Sequence, residues 1–130
     1  MMLLFGHPYI ENEKLYHISS IEAIEHTPSN SVLLFDYDNE VFELIEHAKE
    51  NALEFALNVF SLKEAIICEN LEAKYLLLSA ELASSVQKAA DTYLFDAKIL
   101  AHIKKEDDIE DLASEGIDGA IFAEAIIKVS

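Results

Sequence analysis

Two acids, Asp36 and Asp38, flank Tyr37 at the end of an apolar run, and Ser79, Glu81, His102 and Glu124 stand at or just past the ends of later runs. In open parallel sheets, ligands bind beyond the carboxyl ends of strands, so these residues form the candidate pocket, with Ser61 and Lys104 at equivalent places. Carboxylates that converge could hold Mg²⁺, and Asp36 and Asp38, with Glu81 as a third ligand, are the available set. The competing reading gives the same acids to helix caps and solvated loops, and it is preferred. A hydrolytic Ser79 and His102 pair oriented by Asp36 is conceivable in geometry. No G-x-S-x-G turn supports it, and Ser79 is better explained as an N-cap.

The other reactive side chains point to no site. His7, His17, His26, His47 and His102 show no metal-ligand spacing such as H-x-x-x-H. Cys68 stands alone, so it forms no internal bridge, and no neighbouring cation lowers its pKa. Gly6, Gly116 and Gly119 make neither a P-loop nor a G-x-G-x-x-G turn, which argues against ATP- and NAD-dependent reactions. No cofactor is expected, with Mg²⁺ the single possibility.

Composition narrows the class. The chain has 130 residues, 25 Asp and Glu against nine basic residues, all of them Lys, and a formal net charge of -16. Nucleic acid and anionic lipid should be repelled, because phosphate binding needs clustered basic side chains and only Lys104 and Lys105 are adjacent. With 52% hydrophobic residues the chain can bury a core without disulfides. No 18-residue apolar stretch or signal-like start appears, so the expectation is a cytoplasmic protein without a membrane segment.

The elements that must position these residues follow from hydropathy. Five near-continuous apolar runs, at 32–37, 55–60, 74–78, 97–103 and 119–123, read as buried parallel strands. Helical patterns separate them. Val41, Leu44, Ile45, Ala48 and Ala52 mark the first, and the second opens on a Ser61 to Glu64 capping box with Ala65, Ile66 and either Ile67 or Cys68 facing inward. The third spans 79–94, with Leu82, Val86, Ala89, Ala90 and Tyr93 as its apolar stripe and Glu81, Gln87 and Asp91 as its polar face. The fourth opens on Glu106, Asp107 and Asp108 and stops at Gly116. Ahead of these, residues 2–5 and 15–18 look like strands of a β-hairpin around Gly6, Pro8, Asn12 and Glu13, with a short helix at 20–26. A single domain over 1–130 is expected, with 1–31 an N-terminal extension of an α/β core at 32–130.

The run VLLFDYDNE at 32–40, followed by an amphipathic helix, resembles the first βα unit of response-regulator receiver domains. KYLLLS ends on Ser79 where receivers place their phosphoacceptor Asp, AKILAHI ends on His102 near their Ser or Thr, and EGIDGAIFA resembles the segment leading to their Lys. The resemblance implies a three-layer α/β sandwich with a five-stranded flavodoxin-like sheet in the order 2-1-3-4-5. It also implies a degenerate receiver, because Ser79, Tyr37, His102 and Ala123 replace the residues that aspartyl phosphorylation needs. GIDGAIFAEAI is also similar to the closing strand of phosphate-binding (β/α)₈ barrels, of which 130 residues could form only a half-barrel-like fragment.

The expected function is therefore a non-enzymatic receiver-like signalling or protein-interaction module, with a protein partner or a homodimer. Its motive is the absent last helix, which leaves one side of the sheet to be covered. The alternative is a Mg²⁺-dependent enzyme or small-ligand-binding protein that uses the acidic pocket at the strand ends.

Overall fold

The computed structural model describes all 130 residues. Eight strands form one parallel sheet: β1 (Leu3–Phe5), β2 (Leu15–His17), β3 (Val32–Asp36), β4 (Phe55–Asn58), β5 (Tyr75–Ser79), β6 (Lys98–His102), β7 (Gly119–Ile121) and β8 (Ile126–Lys128). The helices are α1 (Ile21–Ile24), α2 (Val41–Glu50), α3 (Leu62–Asn70), α4 (Ala80–Tyr93) and α5 (Asp108–Ser114). The expected α/β class and parallel sheet are present. Each central run became a strand and each intervening pattern a helix, within a few residues of the expected bounds.

Strand order differs from the flavodoxin-like expectation. It is β1-β7-β6-β5-β4-β3-β2-β8, so the five central strands lie in simple sequence order and three short strands extend the sheet. Consecutive right-handed crossovers that always step in one direction place every helix on the same face. Packing agrees. The 27-residue core cluster holds Val41, Leu44, Ile45 and Ala48 of α2, Ala65 and Cys68 of α3, Ala83, Val86 and Ala90 of α4, and Leu112 of α5. The second cluster of 10 residues, including Phe5, Leu15, Leu34, Tyr75, Leu77, Leu100 and Ile121, has no α-helical member.

The expected N-terminal hairpin is replaced by two separate strands. β1 pairs with β7, whereas β2 lies between β3 and β8, near the other end of the sheet. Residues 123–130, expected to leave a side uncovered, instead form a 3-10 turn at Ala123–Ala125 and then β8. Ile121 and Ile126 are joined by five virtual bonds, which reach roughly 18 Å at most. In a flat sheet their strands would lie six steps apart, or roughly 29 Å at 4.8 Å per step. The sheet must therefore curl, and it does so into a half-barrel with helices outside and the 10-residue cluster within.

Side chains fill the interior. Phe5 meets Tyr75 edge to face with ring centroids 5.2 Å apart, although three strand steps separate β1 from β5. The N-terminal end is sealed by charge: the Tyr75 hydroxyl donates to Glu13, and Lys74 pairs with Glu13 at 3.2 Å and Glu54 at 3.1 Å. Burial would lower the Lys74 pKa, but hydrogen bonds to Glu54 and Glu13 raise it. Tyr75 is also raised, first by burial and then by Glu13.

Two helix faces depart from the expected stripes. In α4 the buried positions are Ala83, Val86, Gln87 and Ala90, while Tyr93 is 73% exposed. Alanine lets the helix approach the sheet closely, and Gln87 is drawn inside because its Oε1 accepts from the Asp118 N–H at 2.9 Å. Its Nε2 donates to Asp91 at 2.9 Å, so both ends are satisfied. In α3 the capping residue Ser61 accepts from the Glu64 N–H and Ala65 and Cys68 face inward as expected, but Ile66 faces solvent. Burial, then Glu64, pushes the Cys68 thiol up to about 12, which suits an inert core residue.

Candidate functional site

Period-two alternation carries the inner face of each strand upward into one polar layer. Leu15 leads to His17, Leu34 to Asp36, Ala56 to Asn58, Leu77 to Ser79 and Leu100 to His102. The five end positions lie at the carboxyl end of the half-barrel. With the opposite end sealed by Glu13, Tyr75 and Lys74, this is the end open to a ligand.

Hydrogen bonds join four of the five. His17 Nε2 donates to Asp36 Oδ1 at 3.0 Å, and Asn58 Nδ2 donates to the same oxygen at 2.8 Å. His102 Nε2 lies 2.8 Å from Asn58 Oδ1. A carboxylate and an amide oxygen only accept, so both Nε2 atoms carry hydrogen in this arrangement. Neutral His102 then holds its lone pair on Nδ1, which makes no hydrogen bond within the chain. Desolvation lowers the His102 pKa below 6.5, with Asp36 opposing and the nearby His17 reinforcing the shift. The imidazole is thus a neutral proton acceptor near pH 7, fixed in one tautomer.

The other sequence candidates separate from this layer. Tyr37 has the opposite parity to Asp36 and meets Phe42 of α2 at 5.8 Å between ring centroids. Its pKa is raised, first by burial and then by Cys68 and Glu64 of α3, so it belongs to the helix side. Asp38 Oδ1 accepts from the Glu40 N–H at 2.9 Å and shapes the turn into α2. Ser79 Oγ caps α4 by accepting from the Leu82 N–H at 3.4 Å. Glu81 is exposed in the first turn of α4. Glu124 lies in the 3-10 turn and lines a 470 Å³ cavity with Gly6, Lys104 and Phe122. No three His, Cys, Asp or Glu side chains converge to hold a metal ion.

His17 and Asn58 are the residues that reading the sequence missed. Beside His102 opens a 450 Å³ cavity lined by Lys104, Lys105 and Asp108 over Ile103, Ile121, Ala123 and Ile126. A larger cavity of 630 Å³ lies near the sealed end, but most of its charged side chains are already partnered within the chain. Glu72 pairs with Lys49, Glu54 with Lys74, and Glu69 accepts from the N–H groups of Asp96 and Ala97.

No family model and no curated protein matches this chain. Nothing in the strand order identifies a receiver domain. No helix is long and apolar enough to cross a membrane.

Proposed function

We propose that the chain binds a small polar molecule at the carboxyl mouth of the half-barrel and that His102 Nδ1 takes a hydrogen bond or a proton from it. The observation that supports this reading is the chain of contacts from Asp36 through Asn58 to His102, which holds a neutral imidazole with one nitrogen free. Structural caps need no such relay. A general base works best when its protonation state and orientation are set in advance, and both are set here.

The test is an NMR titration that follows the imidazole resonances of His17 and His102 against millimolar sugars, amino acids, nucleosides, carboxylic acids and Mg²⁺. At least one class should move the His102 resonances, and Asn58→Ala should abolish the response while the fold remains. A Mg²⁺ response carried by Asp36 and Asp38 would favour the metal-dependent form of this reading. If none of the classes moves either histidine, the mouth is not a ligand site.

A second reading, a protein-interaction module, draws on a different surface. Tyr93, 73% exposed, lines a groove with the solvent-facing Ile66 of α3, and Leu94, next to it in sequence, is 82% exposed.

A further inference from the structure

The cavity beside His102 opens over the inner side of the half-barrel. Ile99, Ala101 and Ile103 belong to the helix-side cluster, so Leu100, His102 and Lys104 alternate toward the inner side. Ile121, a member of the inner cluster, and Ile126, packed against it, give the cavity an apolar floor. Consecutive residues of an extended chain point opposite ways, but the chain bends at Lys104 as it leaves β6, and Lys104 and Lys105 line the same cavity.

The charges here differ from those near the sealed end. There Lys49 pairs with Glu72, and Lys74 with Glu13 and Glu54, so each ammonium is already neutralised. Lys104 and Lys105 take part in none of the chain's ion pairs. Of the acids that follow them, Glu106 lies 3.5 Å from His7 Nε2, and Asp108 stands in the first turn of α5, where free N–H groups favour a carboxylate. Glu106, Asp107 and Glu124 line the neighbouring 470 Å³ cavity, which shares both lysines. In the cavity beside His102, two ammonium groups face the single carboxylate of Asp108, which leaves the lining positive in a chain of net charge -16.

His102 adds one acceptor. Its Nε2 is taken by Asn58, so Nδ1 is the atom the neutral ring can offer a ligand. Two cationic donors and one acceptor over an apolar floor are the complement of an oxyanion that carries a hydroxyl group. Resting on the ligand reading at His102, we propose that the mouth takes a small hydroxylated oxyanion, its carboxylate or phosphate held by Lys104 and Lys105 and its hydroxyl donating to His102 Nδ1. The 450 Å³ volume suits a small molecule. Charge sets the same limit on size. The acidic surface repels an extended polyanion, but screening confines that repulsion to about 10 Å in dilute salt, and a small anion in contact with two ammonium groups is governed by them.

The probes separate the two parts of the ligand: glycolate and glycerol phosphate carry both groups, acetate and inorganic phosphate the anion alone, and glycerol the hydroxyl alone. Each is titrated into ¹⁵N-labelled protein. Glycolate or glycerol phosphate should move the His102 ring resonances together with the Lys104 and Lys105 amides, and bind about tenfold tighter than the probes that lack one group. The tighter of the two assigns the anion as carboxylate or phosphate. Replacing both lysines, Lys104→Gln with Lys105→Gln, should weaken binding about tenfold or more at an unchanged melting temperature, because both side chains are exposed. Hydroxylated anions that bind no tighter than acetate or inorganic phosphate would overturn the proposal, as would shifts indifferent to the double substitution. A neutral sugar or nucleoside that moves His102 equally in the native protein and the lysine variant would overturn the anionic class while leaving the ligand reading at His102 standing. Silence of His102 toward every probe would overturn both.

Discussion

The amide of Asn58 bridges two charged or chargeable groups with opposite ends of one side chain: its nitrogen donates to Asp36 at 2.8 Å and its oxygen accepts from His102 at 2.8 Å. That arrangement fixes which way round the amide sits and which nitrogen of His102 carries the proton. Asn58→Leu keeps the side chain's branching, with methyl groups in place of the amide oxygen and nitrogen, and removes both contacts. The His102 ring should then populate both neutral tautomers, read from its ¹⁵N shifts, where the native protein should show the Nε2–H form alone. Stability should fall by about 1 kcal/mol, toward the lower end for lost hydrogen bonds because the layer is open to water. A variant that retained one tautomer would mean that some other group orients the imidazole.

The depressed pKa of His102 sets a direction for stability against pH. Its proton is held less tightly in the folded chain than at the ordinary 6.5, because burial disfavours the imidazolium. Between the folded value and 6.5 the unfolded chain binds more protons, so this group makes stability rise with pH through that window and contributes no slope above it. Denaturant midpoints of the native protein and His102→Gln should therefore diverge in that window, with the variant changing less. Parallel midpoint curves would show that His102 titrates alike in both states.

The central strands and helices were legible because 32–121 alternates continuous apolar runs with helical periodicity, and Gly116 ends its helix with φ +73° as a left-handed stop. Strand order was not legible. Runs such as VLLF are apolar on both faces, so they specify burial without saying whether helices or other strands do the burying. The two missed site residues were hidden for specific reasons. Asn58 lies inside an apolar run that reads as strand through Phe60, and His17 lies in a segment whose turn residues point to a hairpin extension and not to a strand of the main sheet. The available signal was parity, since Asp36, Asn58, Ser79 and His102 each stand two residues beyond an inner apolar position. The exposed Tyr93 was unreadable because a small alanine, Ala83, takes a sheet-facing place that spacing allots to larger residues, and in α3 it is Cys68, not Ile66, that shares the inner face with Ala65.

Closure of the half-barrel depends on Gly6, just past β1. A β-carbon there would lie 2.9 Å from the Ala125 nitrogen and 3.1 Å from Phe122 Cβ, at φ +83°. Gly6→Ala should cost roughly 2–3 kcal/mol, combining backbone strain with displacement of the turn into β8. Gly116→Ala has a similar φ of +73° but meets nothing within 4 Å, so its cost should be the backbone part alone, about 1 kcal/mol. Urea unfolding of both variants separates the two contributions. Equal losses would mean that the turn moves aside without cost.

Gln87 offers a test of how α4 is fastened to the sheet. The side chain is 3% exposed, accepts from the Asp118 N–H and donates to Asp91, while the Asp118 carboxylate accepts from the Ile99 N–H at 2.9 Å. Gln87→Leu leaves the Asp118 N–H without its partner and should cost about 1–3 kcal/mol in chemical unfolding. Gln87→Glu keeps the acceptor but sets a buried carboxyl against the Asp91 carboxylate, which raises its pKa in the folded state above the unfolded value of about 4.3. Stability contributed by a group with a raised pKa is present below the unfolded value and lost as pH rises through the folded one. Gln87→Glu should accordingly be the less stable variant at pH 7 and close the gap to the native protein as pH is lowered toward about 4. A gap independent of pH would mean that the introduced carboxyl reaches solvent by moving α4 away from β6 and β7.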